Sequence, residues 1–221
     1  MEVVAPHLDP DVTVQRIQLD DSSWVDLARG WVIGAHDVFE HLVATVPWHQ
    51  GRLWRYERWV DEPRLGAGFP PDRYPHPVFA EVHRALRARY GVDFGGVGLA
   101  YYRDGNDGQA FHRDRDMRFL EDTLVAIVSF GSRRPWLLRR RDRRDKWIAP
   151  HGGAEVDLSP GPGDLLVMGG RAQVDWEHSV PKVPGAAGRL PRISAQWRWT
   201  SRRGRPEVGA SYRAPRDFSR R

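Results

Sequence analysis

The sequence predicts a mainly β chain with flanking N-terminal helices, an α+β arrangement whose strands form a sandwich or barrel. Three observations carry this reading. From residue 97 onward, short runs rich in Val, Ile, Leu, Tyr and Trp recur between Gly, Pro and Asp turns. Apolar spacing of helical period occurs only before that point. At 221 residues the chain is long enough to bury one sizeable core.

Taken in order, residues 1–22 are polar and weakly patterned, with a strand near 12–17. Residues 37–43 form a short amphipathic helix, with Asp37 in its first turn or capping it and Pro47 ending it. Residues 51–75 interleave Trp54, Tyr56, Trp59, Phe69 and Tyr74 with Arg52, Arg55, Arg58, Arg64 and Arg73. Such a stretch suits stacked bases and phosphates, or equally a strand and loop packing on the core. Gly66, Gly68, Pro70 and Pro71 predict that its second half is irregular. Residues 77–90 place Val78, Phe79, Val82, Leu86 and Tyr90 at helical spacing, with Pro77 at the start and Gly91 at the end. Strands are predicted over 97–102, 110–114, 123–130, 135–139, 146–148, 164–168, 176–180 and 192–200. The stretch 123–130 is strongly apolar, as in a strand buried on both faces.

Composition excludes several classes. There is no cysteine, hence no disulfide framework, thiolate metal site or cysteine nucleophile. The N-terminus lacks the pattern of a signal peptide, and no apolar run reaches the ~20 residues of a membrane span. A cytoplasmic, monomeric protein is expected. The formal charge is +5, and nearly all of the cations are arginine. Residues 133–146 carry +6 and residues 201–221 carry +5, so the remainder is acidic. Segregated basic segments fit a polyanionic partner.

The candidate chemistry centres on His112-Arg113-Asp114. On a strand, residues two apart share a face, so His112 and Asp114 would enter one pocket. Imidazole plus carboxylate suits a divalent iron, and a second histidine completes a facial set with open positions. His178, in an apolar-flanked stretch, is favoured for that role over His151, which lies in a Pro/Gly turn. In residues 192–200, Ile193, Ala195, Trp197 and Trp199 share one face, and Arg192, Ser194, Gln196, Arg198 and Thr200 share the other. If that second face lines a barrel, its two arginines need anions. A five-carbon diacid could be held at both ends by guanidinium forks.

The ordered set Tyr102, Asp104-Gly105, His112-x-Asp114, Val128-Ser129-Phe130-Gly131, residues 163–168, His178-Ser179-Val180-Pro181 and Arg192-x5-Arg198 resembles the AlkB family of 2-oxoglutarate- and Fe(II)-dependent dioxygenases. The resemblance covers about residues 97–200. It implies a double-stranded β-helix, or jelly roll, as the core over 97–200, within a single domain spanning 1–200. It also implies a nucleotide-recognition lid at 51–75, while composition alone marks 201–221 as a basic C-terminal tail. His112, Asp114 and His178 would bind Fe(II). Tyr102 and Arg192 would hold the distal carboxylate of 2-oxoglutarate, and Arg198 would stand near its iron-chelating end. Asp116 falls where the family can place a polar contact to the target base, and Pro63-Arg64 resembles a lid motif.

Two positions depart from the family pattern. Ala100 and Ser194 stand where relatives often carry Asn, which puts the wiring of the co-substrate in doubt. The implied activity is oxidative demethylation of alkylated bases in DNA or RNA. It consumes O2 and 2-oxoglutarate and releases formaldehyde, succinate and CO2. The alternatives are a 2-oxoglutarate-dependent hydroxylase of a protein or small molecule, and a non-catalytic nucleic-acid-binding relative. Candidate substrate residues are Trp54, Trp59, Arg64, Phe69, Asp116, Arg140, Arg141, Arg143 and Arg144. The four arginines sit in a turn expected to project as a hairpin tip and hold phosphates.

Overall fold

The computed structural model describes residues 5–55, 57–114, 117–141, 156–185, 191–208 and 216–217. The elements run β1 (His7–Leu8), β2 (Gln15–Gln18), β3 (Ser23–Ala28), β4 (Val32–Ile33) and helix α1 (Ala35–Thr45). Next come β5 (His49–Arg55), β6 (Arg58–Phe69), helix α2 (Val78–Tyr90), β7 (Val97–Tyr102), β8 (Gln109–His112) and β9 (Thr123–Gly131). The chain continues through β10 (Leu137–Arg140), β11 (Val156–Asp157), β12 (Leu165–Gly170), the short helix α3 (Ala172–Asp175), β13 (Trp176–Val180), β14 (Arg192–Thr200) and β15 (Arg216–Asp217).

Among the described residues, nine strands form one sheet in the order β15-β5-β6-β7-β14-β9-β12-β3-β2. Four others form a second sheet in the order β11-β10-β13-β8. Strand parity divides the core in two. Leu124, Ala126, Val128 and Phe130 of β9, with Ile193, Ala195 and Trp197 of β14, pack with the apolar faces of α1 and α2. Val125 and Ile127 of β9 pack instead with Tyr102, Leu166 and Met168, and with Trp136, Leu138, Trp176 and Val180 on the side of the smaller sheet. Helices therefore cover one face of the large sheet and the small sheet covers the other. The result is the jelly roll, and β9 is strongly apolar and buried from Thr123 to Phe130 because both of its faces are covered.

The helices follow their sequence signals. Val38, Phe39 and Leu42 of α1 are buried, and the helix stops at Val46, which takes an extended conformation before Pro47. Helix α2 starts after Pro77 and ends at Gly91, which adopts the left-handed region and returns its N–H to the Arg87 carbonyl. Asp37 lies in the first turn of α1 and does not cap it.

One expectation changes. Regular strand runs into the second half of 51–75 as far as Phe69, and only 70–75 are irregular. Gly66, Ala67, Gly68 and Phe69 pair with Ala100, Leu99, Gly98 and Val97, so backbone pairing overrides the turn propensity of the glycines. The register between β5 and β6 shifts between Gln50 and Arg52, which leaves Pro63 within a bulge that needs no ladder donor. The predicted strand 146–148 lies outside the described residues; the described partner of β10 on its outer side is β11. The C-terminal segment folds back on the body. Ser201 and Glu207 donate backbone N–H groups to the Asp122 and Arg118 carbonyls. Arg216 and Asp217 then pair with Leu53 and Arg52 at the edge of the large sheet.

Gly163, in the turn before β12, has φ 75°, and a Cβ there would lie 2.4 Å from the Val32 carbonyl oxygen. Its own N–H and C=O bond Ser129 and Val32, so the turn cannot move away. Gly163→Ala is expected to cost about 2–3 kcal/mol and to lower the thermal midpoint by roughly 4–10 °C in a calorimetric scan.

Candidate metal and co-substrate centre

His112 ends β8, and its register partner across the small sheet is His178 of β13. The two imidazole centroids are 4.2 Å apart. Asp114 follows two residues beyond His112, just past the strand end, with its Oδ1 3.7 Å from His112 Nε2. Ligating atoms of His112, Asp114 and His178 all lie within 4.8 Å of one another. His151 lies outside the described residues.

The ring orientations suit ligation. His112 Nδ1 is 2.9 Å from the Ala110 carbonyl. A carbonyl only accepts, so Nδ1 carries the proton and Nε2 keeps a free lone pair facing Asp114. Trp136 stacks on His178 at 5.4 Å. Burial, reinforced by the neighbouring His112, pushes the His178 imidazole down to about 3. Burial lowers His112 as well. Burial of Asp114 opposes its charge, but Arg198 and the two imidazoles outweigh this and hold the carboxyl well below its ordinary value. At neutral pH the site thus presents two neutral imidazoles and one carboxylate, the donor set of a facial divalent-iron site.

Asp114 is held from two sides. Its N–H donates to the side-chain carbonyl of buried Gln173 at 2.7 Å. Arg198 Nε donates to its Oδ2 at 3.1 Å. Another Arg198 nitrogen donates to the Gln196 side-chain carbonyl.

On the same face of the large sheet, Arg192 pairs in register with Tyr102 on one side and Gly131 on the other. Its side chain is completely buried. One guanidinium nitrogen donates to Ser129 Oγ at 3.0 Å. The other two guanidinium nitrogens, Nε and Nη1, have no partner among the described residues. Burial pulls the Arg192 pKa down to about 10. Between Arg192 and Arg198 the inward face carries Ser194 and Gln196, opposite Ala100 and Gly98. A buried arginine with idle donors has the chemistry to receive a carboxylate.

The expected substrate residues divide. Arg64 on β6 donates to the side chains of Gln109 and Glu62. Its charge reaches both candidate histidine ligands. Trp54 and Trp59 pair next to the turn of the β5–β6 hairpin, with centroids 5.6 Å apart, and Trp54 is exposed. Phe69 is not brought to this face and packs with the helix-side core instead, because it lies at the far end of β6. Arg140 and Arg141 end the described part of the basic turn. Arg140 is 3.6 Å from Asp20, and Arg141 donates its backbone N–H to the Asp175 carbonyl. Asp116, Arg143 and Arg144 lie outside the described residues. Sequence reasoning passed over Gln173 and Arg134 and gave Ser129 no role beyond its place in the motif. Ser129, one of two hydroxyls in an otherwise apolar strand, was the one visible signal.

These features define a class: a jelly roll carrying a His-Asp-His set and a buried arginine for a dicarboxylate. The family model of the 2OG-Fe(II) oxygenase superfamily matches residues 72–198, and the chain belongs to that superfamily. The cofactors of the class, Fe(II) and 2-oxoglutarate, fit the donor set and the idle arginine donors described above.

Within the superfamily the chain is AlkB-like. It is 28% identical over 180 residues to the alpha-ketoglutarate-dependent dioxygenase alkB homolog 3 of Bos taurus, covering 74% of this chain and 61% of that protein. It is 27% identical over 163 residues to the DNA oxidative demethylase ALKBH2 of Homo sapiens, covering 66% of this chain and 62% of that one. The chain thus spans about six tenths of the length of these relatives. A solved prolyl hydroxylase from Trichoplax adhaerens shares the fold, with TM-score 0.56 at 12% identity over 79% of this chain and 83% of that one. Among the described residues no helix is long and apolar enough to cross a membrane.

Proposed function

We propose that the chain oxidatively demethylates alkylated nucleobases, with His112, Asp114 and His178 as the iron ligands. The observation that carries this reading is the β5–β6 hairpin. It sets the Trp54–Trp59 pair, with Trp54 exposed, next to its turn, and it carries Arg64, whose charge acts on both candidate histidine ligands. Aromatic faces accept any base by stacking, and an arginine suits a phosphate or base edge. A base treated at such a site must leave its stack. Relatives whose names state DNA oxidative demethylation support the same substrate class.

Fe(II) with O2 and 2-oxoglutarate supplies the oxidising power, and an oxidised N-methyl group leaves as formaldehyde. The chain's own residues bind and orient. Arg192, Tyr102 and Ser129 hold the distal carboxylate, and Arg198 faces the metal end while fixing Asp114. Ser194 and Ala100 contribute only small side chains to the wall between them, so orientation falls to the arginines.

The test is formaldehyde release over a panel of methylated single- and double-stranded DNA and RNA oligonucleotides. Release from at least one class supports the reading. Release from none, with 2-oxoglutarate still consumed, moves the substrate to a protein or small molecule.

The basic turn is part of the proposal. Arg140 lies two residues along β10 from Leu138, the register partner of His178, so the turn starts about 7 Å along the strand from the metal side chains. Each phosphate contact contributes about −0.9 to the slope of log K against log salt for duplex DNA and about −0.7 for single strands. Replacing Arg140, Arg141, Arg143 and Arg144 by Ser is expected to flatten that slope by about 2–3 and to weaken all sequences alike. Unchanged affinity and slope would reduce the turn to a charged loop tied to Asp20.

A further inference from the structure

A second buried arginine stands beside the first. Arg134, in the connection between β9 and β10, is 3% exposed. Its Cζ lies 5.4 Å from the centroid of the Tyr102 ring, and Tyr102 is the strand partner of Arg192. The two guanidiniums feel each other, and both feel Tyr102. The terminal nitrogens of Arg134 donate to the carbonyls of Asp104, Asp107 and Pro181 at 2.8, 2.8 and 3.1 Å, while its Nε is buried without a partner.

Among the described residues neither arginine forms an ion pair. Three carboxylates act on them from farther away, Asp104 and Asp107 on Arg134 and Asp164 on Arg192, and two of the three are held by other arginines. Asp107 is held by Arg103 at 2.8 Å, and Asp164 by Arg29 at 2.6 Å. Carbonyl oxygens satisfy hydrogen bonds but do not neutralise a cation. Two buried like charges without an anion are a costly arrangement, so this end of the pocket is built to receive negative charge.

We propose that Arg134 is a second cationic determinant of the distal-carboxylate pocket, selecting a co-substrate that carries two carboxylates. It acts through space, with Arg192 supplying the direct donors. The proposal rests on placing 2-oxoglutarate between the His-Asp-His set and Arg192.

The test uses the full chain loaded with Mn(II), titrated calorimetrically with 2-oxoglutarate and with 2-oxopentanoate, which keeps the carbon chain but has one carboxylate. Arg134→Gln is expected to cut the preference for the diacid about tenfold through weaker 2-oxoglutarate binding alone, the scale of one charge acting across a partly screened distance. Arg134→Lys keeps the charge but cannot make three carbonyl bonds, so it is expected to stay within about threefold of wild type in preference. Both variants are expected to melt earlier. An unchanged preference in Arg134→Gln overturns the proposal. So does an equal loss in the lysine variant, because packing and not charge would then explain the effect. If the glutamine variant does not fold, the lysine variant alone decides, by keeping or losing the preference. A wild-type protein with no preference for the diacid, unaltered by Arg192→Met, overturns the placement of 2-oxoglutarate itself, whatever Arg134 does.

Discussion

Asp114→Asn is expected to abolish turnover and to weaken divalent-metal binding by more than about a hundredfold, beyond the loss typical of an outer partner of a metal ligand. The reason is charge. The two imidazoles are neutral, so the carboxylate is the only anionic donor of the set. An amide in its place leaves Arg198 as an unopposed cation 3.1 Å from the metal-facing side chain. Geometry alone would be kept, because the Asn N–H can still donate to Gln173. The measurement is calorimetric titration with Mn(II), together with the weak visible band that Fe(II) and 2-oxoglutarate give anaerobically. Wild-type affinity and an intact band in the variant would remove Asp114 from the site and return the search for a carboxylate to the residues around it.

Arg192→Met is expected to do two opposite things at once. Co-substrate use collapses, with the 2-oxoglutarate KM raised by at least about a hundredfold, as expected for the loss of a buried charge-assisted carboxylate contact. The metal-free protein becomes more stable. Arg192 is completely buried, has two idle nitrogens and lacks an ion-pair partner among the described residues, so it carries a desolvation cost with little local return. A methionine of similar length removes that cost, and a gain of about 1–2 kcal/mol corresponds to roughly 3–6 °C in the thermal midpoint. A purely structural arginine predicts the reverse: a lower midpoint and an unchanged KM. Thermal scans without ligand and succinate production against 2-oxoglutarate concentration separate the two.

Much of the site was legible because strand geometry is local. The alternation of 192–200 assigned Arg192 and Arg198 to one face before any packing was known, and the β14 register bears this out. The spacing of His112 and Asp114 worked in the same way, although β8 stops at His112 and Asp114 is aimed by Gln173 and Arg198 rather than by the strand. Phe69 misled because composition counts aromatics without saying where a strand ends. β6 runs the full length from Arg58 to Phe69, so its two ends serve different faces of the molecule.

The sequence by itself determined the periodicities: two amphipathic helices, a doubly covered central strand, and a polar face on the last strand whose two arginines need anions once that face is enclosed. It also held, in order, the residue types of an AlkB-like oxygenase. Only the tertiary structure decided which histidine meets His112, because His178 is 66 residues away and reaches it through cross-strand pairing. Only packing could show that Arg192 is buried with idle donors and that Arg134 stands beside it. Burial and hydrogen-bond satisfaction are properties of the surroundings, and those surroundings come from β7, β9 and the turn at 104–107, all far from β14 in the chain.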